Sequence, residues 1–228
     1  MKKILKILFS IPNTIKFNFK CFPFWEAVNI PVIVSYSVKM SNLRRGAIRI
    51  EGSKSRGMIT IGVAEGTDGI HDMKGRGYIR FGKGEGSLTF KGRAQLAKGI
   101  SLNADTGEIV FGNGFTCNKY CFIASSKRVV FGNDVMLGPY TTIRDMDGHN
   151  IYNSKDINMK QAINKAEDIF IGNHVWTGAN VSILKGSKIL DGCIVAYGAC
   201  VTKVFEETDC IIGGVPANII KKSIKWVR

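Results

Sequence analysis

The chain has no apolar run long enough to cross a bilayer, no C-x-x-C pair, no Pro/Ser-rich break and only three histidines. The first absence excludes a membrane-spanning helix. The second removes the spacing of zinc and dithiol redox sites. The six cysteines therefore read as reduced, buried thiols of the kind a cytoplasmic protein keeps, and only their even number leaves a disulfide framework open. Without a linker-like break there is no place to divide the chain, and 45% hydrophobic residues suffice for one continuous core. His71, His149 and His174 lack the paired short spacing of a three-His zinc centre, so no metal is expected. Acidic residues are scarce too. Lys and Arg outnumber Asp and Glu by 32 to 18, a formal charge of +14, which favours nucleotides, phospholipid surfaces or acidic glycans as partners. No basic motif interleaved with aromatics is present, and nucleic acid is not expected.

What is present is a period. From Ile171 to Phe205 a six-residue phrase recurs without slipping: Ile171, Thr177, Ile183, Ile189, Val195 and Val201 open it. Val175, Val181, Ser187, Cys193, Ala199 and Phe205 follow four positions later. Six fits neither the 3.6-residue helix nor strand alternation; it fits a coil of short parallel strands with sharp corners, a hexapeptide β-helix. Ile109-Val-Phe-Gly-Asn113 and Val129-Val-Phe-Gly-Asn133 match each other and predict successive coils with two extra residues at one corner. Upstream, Ala47–Ile50, Met58–Gly62 and Tyr78–Gly82 read as irregular early coils or an appended sheet.

The clean phase breaks between Ile143 and Ile171, which predicts an extruded loop over about 145–169, the kind of excursion that covers a site. His149 sits at that break, two residues after Asp147 and four after Asp145. A carboxylate at either position could fix the imidazole tautomer while the other ring nitrogen takes a proton. His174, in Gly172-Asn-His-Val-Trp176, reads as a solvent-facing corner residue, and His71, in a Gly/Asp-rich stretch, likewise. Trp176 is suited equally to packing between coils and to lining an acceptor pocket. The first forty residues, rich in Lys, Ile and Phe and without a clean cleavage site, read as a cap on the coil or as a segment lying on an anionic membrane surface. The β-helix proper is expected over 41–228.

The phrase Ile171-Gly-Asn-His-Val-Trp-Thr-Gly-Ala-Asn180, with Ile183-Leu-Lys-Gly186, Ala199-Cys-Val-Thr-Lys203 and Gly213-Gly-Val-Pro-Ala-Asn-Ile-Ile-Lys221, resembles the hexapeptide-repeat acetyltransferases, in particular galactoside, maltose and polysaccharide O-acetyltransferases. The resemblance covers Phe111 to Lys222. It implies an all-β fold, a left-handed parallel β-helix with short terminal helices, assembled as a homotrimer with sites between subunits and using acetyl-CoA. By the same resemblance His149 is the catalytic base, with Asp145 or Asp147 orienting it, and Asn118 binds the acceptor. Ser126 stands where sugar-specific relatives carry Asp, which argues against a simple galactoside or maltose. Gly178, Ala179, Tyr197, Thr202, Lys203 and Lys221 fall where relatives meet coenzyme A. Asn218 replaces a basic residue there, a gap that Lys222 could fill. The function expected is acetyl transfer to a sugar hydroxyl of a surface polysaccharide or its lipid-linked precursor, at the inner face of the membrane. N-acetylation of an amino sugar and non-catalytic binding are the alternatives.

Overall fold

The computed structural model describes residues 2–66, 75–155 and 158–228, with nothing described of the side chains of residues 2–7. Among the described residues the strands form three sheets of nine, seven and six strands, here A, B and C. Successive strands visit A, B and C in turn, and nearly every pairing is parallel, so the chain winds as a three-sided coil. Among the described strands of these sheets only the last pair, Ile211–Gly214 with Ala217–Lys221, is antiparallel, and it closes the C-terminal end of sheet A.

All twelve repeat positions from Ile171 to Phe205 point inward, none more than 4% exposed. This is why the six-residue period is so clean: each side of the prism offers two inward sites per coil, and neither tolerates a charge. Val129 pairs with Ile109, as the twin phrases predict. The phenylalanines of those phrases stack along the axis, Phe111 on Phe90 at 4.8 Å and on Phe131 at 5.5 Å between centroids.

The recurrent Gly-Asn has its own cause. The Asn133 side-chain oxygen accepts from the Asn113 N–H at 2.8 Å, Asn173 does the same for Asn133, and Asp191 for Asn173 at 2.7 Å. A column of side-chain acceptors thus satisfies backbone donors that the corner leaves without a strand partner. The preceding glycine is needed because a Cβ on Gly132 would lie 2.6 Å from the Gly172 carbonyl carbon.

The early strands are coils of this same solenoid, not an appended sheet. Val32 pairs with Ile59, and Ile59 with Ala94, so the first turns are much longer than the eighteen residues between Phe170 and its partner Lys188. Sheet A starts at Val32, ahead of residue 41. Before it lie helix α1 (Lys2–Cys21) and a single helical turn, α2 (Phe24–Ala27). The helical part is therefore N-terminal and, in α1, twenty residues long; the segment after Lys221 is a tail without helix. All six cysteines are free thiols, five of them buried, and burial pushes Cys210 up to about 12.

Candidate functional site

The extruded loop leaves strand Thr142–Arg144 of sheet B and returns at strand Ile169–Ile171 of sheet C. Asp145 anchors its root. Its carboxylate, fully buried, accepts from Ser125 Oγ at 2.7 Å, the Ser126 N–H at 2.7 Å and the Lys127 N–H at 2.8 Å. These bonds tie the loop to the corner one coil below. The Asp145 carbonyl also accepts from the Glu167 N–H at 3.0 Å, so both ends of the excursion meet at this residue.

Asp147 faces the other way. It pairs with Lys185 at 2.6 Å and accepts from Asn164 Nδ2 at 2.9 Å, and Lys185 first, then Asn164, hold its carboxyl below the usual range. Asn164 donates to the His149 carbonyl as well, at 2.8 Å, while its own Oδ1 accepts from the Ile151 N–H at 2.7 Å. One amide therefore clasps the loop around His149 from the returning limb, next to the bridge between Tyr152 and Ala162. The imidazole is exposed, and among the described residues no hydrogen bond joins it to Asp145 or Asp147. Of the two carboxylates expected to orient it, Asp145 is committed to the Ser125–Lys127 corner. Asp147 is joined to His149 only through Asn164.

The remaining site residues fall in two rows along the edges of sheet B. At the corner from sheet A to sheet B lie Asn118, Gly178, Ala179 and Tyr197, the last 72% exposed, with its hydroxyl accepting from Asn180 Nδ2 at 2.7 Å. At the corner from sheet B to sheet C lie Ser126, His149, Thr202 and Lys203. Lys203 donates to Asn218 Oδ1 at 2.6 Å and stands 5.5 Å over the Phe205 ring. Lys221 is exposed on the last strand. Lys222 is paired with Glu207 at 2.8 Å, which raises its pKa.

Asn118 and Trp176 line one cavity of about 510 Å³ on sheet A, together with Thr116, Met136 and the tail residues Trp226 and Arg228. The tail is what sequence reading missed, and it adds partners to His174. That residue sits at the corner as expected, with left-handed backbone, φ 52°, and a side chain 37% exposed, but its ring also has partners. It stacks on Trp226 at 3.8 Å, with Nδ1 2.6 Å from Asp134 Oδ2 and Nε2 3.1 Å from the Trp226 carbonyl. Hydrogen bonding to that carbonyl, and then to Asp134, raises its pKa. Arg228 completes the clasp on Asp134 and Thr116. Arg144 was missed as well: its guanidinium lies 5.9 Å from the Phe122 ring centroid, and its buried Nε lacks a partner among the described residues. His71 lies outside the described residues.

Residues 168–203 match the family model described as bacterial transferase hexapeptide (six repeats). The chain is 36% identical over 132 residues to a polysialic acid O-acetyltransferase of Escherichia coli O1:K1 / APEC, covering 58% of this chain and 42% of that one. It is 32% identical over 154 residues to WbbJ of Escherichia coli K12, named for lipopolysaccharide biosynthesis O-acetyl transfer, covering 64% and 75%. Among solved structures, the polySia-specific acetyltransferase NeuO is similar at a TM-score of 0.46 and 24% identity, over 92% of this chain and 83% of that one. The chain belongs to the hexapeptide-repeat transferases. It spans less than half the length of the E. coli O1:K1 relative.

Proposed function

We propose that this protein is an acetyl-CoA-dependent O-acetyltransferase acting on a sugar hydroxyl of a bacterial surface polysaccharide or its lipid-linked precursor, with His149 as general base. One observation carries the reading. In a coil of the transferase family, a single extruded loop presents an imidazole whose backbone is clasped by Asn164 while its ring remains open to a substrate. A histidine in that state can take the proton from an acceptor hydroxyl as the oxygen attacks the thioester carbonyl. The same ring then returns the proton to the departing thiolate, so the step needs no further acid. The Gly178 N–H is spent on the Val195 carbonyl at 2.8 Å, so the backbone N–H of Ala179 is our candidate donor to the charge that develops on the carbonyl oxygen. Asp147, through Asn164 and the loop, positions His149 without touching its ring.

Acetyl-CoA is the donor we assign, with Gly178, Ala179, Tyr197, Thr202, Lys203, Asn218 and Lys221 along its path. Lys203 and Lys221 would meet its phosphates as point charges. Asn118 and Trp176 would hold the saccharide and Ser126 would flank it. Because these groups occupy two edges of sheet B, and His149 lacks a facing wall in one protomer, we place the site between protomers of a homotrimer. The acceptors named for the relatives are polysialic acid and lipopolysaccharide, and a chain of net charge +14 suits an acidic glycan. No helix among the described residues is long and apolar enough to cross a membrane, and we place the enzyme in the cytoplasm at the membrane's inner face, where lipid-linked precursors are assembled.

The test supplies acetyl-CoA with hydroxyl-bearing and amine-bearing oligosaccharides and locates the new acetyl group by mass spectrometry. An O-acetyl ester is expected. Acetylation confined to amines would replace the proposal by N-acetyl transfer, and no turnover with any saccharide would favour a binding protein.

A further inference from the structure

Helix α1 is amphipathic, but it is turned the opposite way from a helix that faces water. Its uncharged polar residues Ser10, Asn13, Thr14 and Asn18 point inward beside Phe17 and Cys21, while Lys16 and Lys20 stay exposed. The outermost strand, Val32–Val34, has no neighbour on one side, and the helix supplies the missing partners. Thr14 Oγ1 accepts from the Val34 N–H at 3.1 Å and lies 3.2 Å from the Val34 carbonyl; Asn18 accepts from the Val32 N–H and donates to the Val32 carbonyl at 2.7 Å. Asn13 donates to the Ser35 and Val38 carbonyls, and Ser10 Oγ accepts from the Tyr36 N–H. An open sheet edge is thereby satisfied by side chains instead of by a further strand.

With that face spent on the cap, the outward face is apolar. Leu8, Ile11, Ile15 and Phe19 recur at helical spacing and are 41–54% exposed. Phe9 extends the face, and beyond the helix Phe24 and Trp25 are 65% and 72% exposed, with Phe19 and Phe24 packed edge to face at 6.0 Å. A groove of about 480 Å³ continues it between Ile11, Ile15 and Val28 of the cap and Ile30 and Ile33 of the first coil. A solenoid cap ordinarily carries a polar outer face to stay soluble; a contiguous apolar one marks an interaction surface. Its charge identifies the partner. No acidic residue occurs before Glu26, whose carboxylate is paired with Lys54 at 2.7 Å, whereas Lys16 and Lys20 flank the stripe and Arg56 borders the groove.

We infer that the outer face of α1, with Phe24 and Trp25, is a docking surface for an anionic phospholipid bilayer. The helix lies in the interface instead of crossing it, as expected of an amphipathic helix with Lys beside Phe and Trp. An exposed Trp at its end suits the headgroup level. The inference extends the membrane placement proposed above and rests on it for its purpose, but its physical ground is the apolar outer face of the helix and the basic residues beside it.

The experiment is co-sedimentation of the whole protein with vesicles of phosphatidylcholine, with and without phosphatidylglycerol. Binding to the anionic vesicles, at least about tenfold tighter than to the neutral ones, is expected, since each lysine near the surface contributes about fivefold. Ile15→Glu with Phe19→Glu, both exposed, should lose at least tenfold while keeping the wild-type melting temperature. Lys16→Gln with Lys20→Gln should remove the preference for anionic lipid. No binding by the wild-type protein, or equal binding by the Glu variant, would overturn the inference. So would a vesicle-free assembly that loses half its mass in the Glu variant, because a second copy would then cover the face. Acetyl transfer to a water-soluble saccharide, measured on the same samples, separates the two readings: His149→Ala should bind vesicles normally, and Ile15→Glu with Phe19→Glu should still turn over.

Discussion

Asp145→Ala distinguishes a structural carboxylate from a catalytic one. The side chain is fully buried and serves two backbone N–H groups and one hydroxyl within 2.8 Å. Removing it leaves the Ser126 and Lys127 donors without their acceptor at a part-buried corner. Each orphaned buried donor costs about 1–3 kcal/mol, so the variant should lose about 3–5 kcal/mol once partial relaxation is allowed for. In a domain of this size 1 kcal/mol moves the melting temperature by about 2–4 °C, which predicts a fall of about 6–20 °C. Thermal denaturation followed by circular dichroism reads it directly. Asp145→Asn should be intermediate, since its carbonyl replaces one acceptor while its amide group opposes a donor. A variant that melts within about 2 °C of wild type but has lost turnover would refute the reasoning and return Asp145 to the role of orienting the imidazole.

Three further outcomes follow from the geometry. Phe111→Ala opens a gap between two stacked rings in the core, and chemical denaturation should show a loss of about 3–5 kcal/mol. The raised His174 pKa means that docking of the tail stabilises fully below the unfolded value of about 6.5 and that this contribution is lost as pH rises through the folded value. Tryptophan fluorescence should report tail release on alkalinisation, and His174→Gln should flatten the curve; an unaltered curve would contradict the assignment. Asn164→Ala removes the clasp on the His149 carbonyl, and kcat should fall about tenfold or more with the fold intact. A change confined to KM would show that Asn164 contacts substrate instead.

The legibility of the fold depended on which face of each element its neighbours claimed. From Ile171 to Phe205 every phrase opener is buried by the same geometry, so the period and the fold class could be read directly. The early coils hid because Val32, Ile59 and Ala94 stack in one column at unequal chain distances, which erases any period. The orientation of α1 was hidden for a different reason: Thr14 and Asn18 point inward to an unpaired strand, and that demand exists only in the assembled coil. Within the site, Asp145 and Asp147 are two residues apart and indistinguishable in sequence, yet one is drawn into the Ser125–Lys127 corner and the other toward Lys185. The partners of His174 were not legible because Asp134 and Trp226 lie 40 and 52 residues away.

The account turns on one imidazole. The most direct test is kcat/KM for acetyl transfer by His149→Ala against wild type, with circular dichroism and assembly mass confirming an intact coil. A loss of at least about a hundredfold is predicted for removal of the general base. A variant that transfers acetyl groups within a few-fold of wild type would show that the chemistry belongs to another residue.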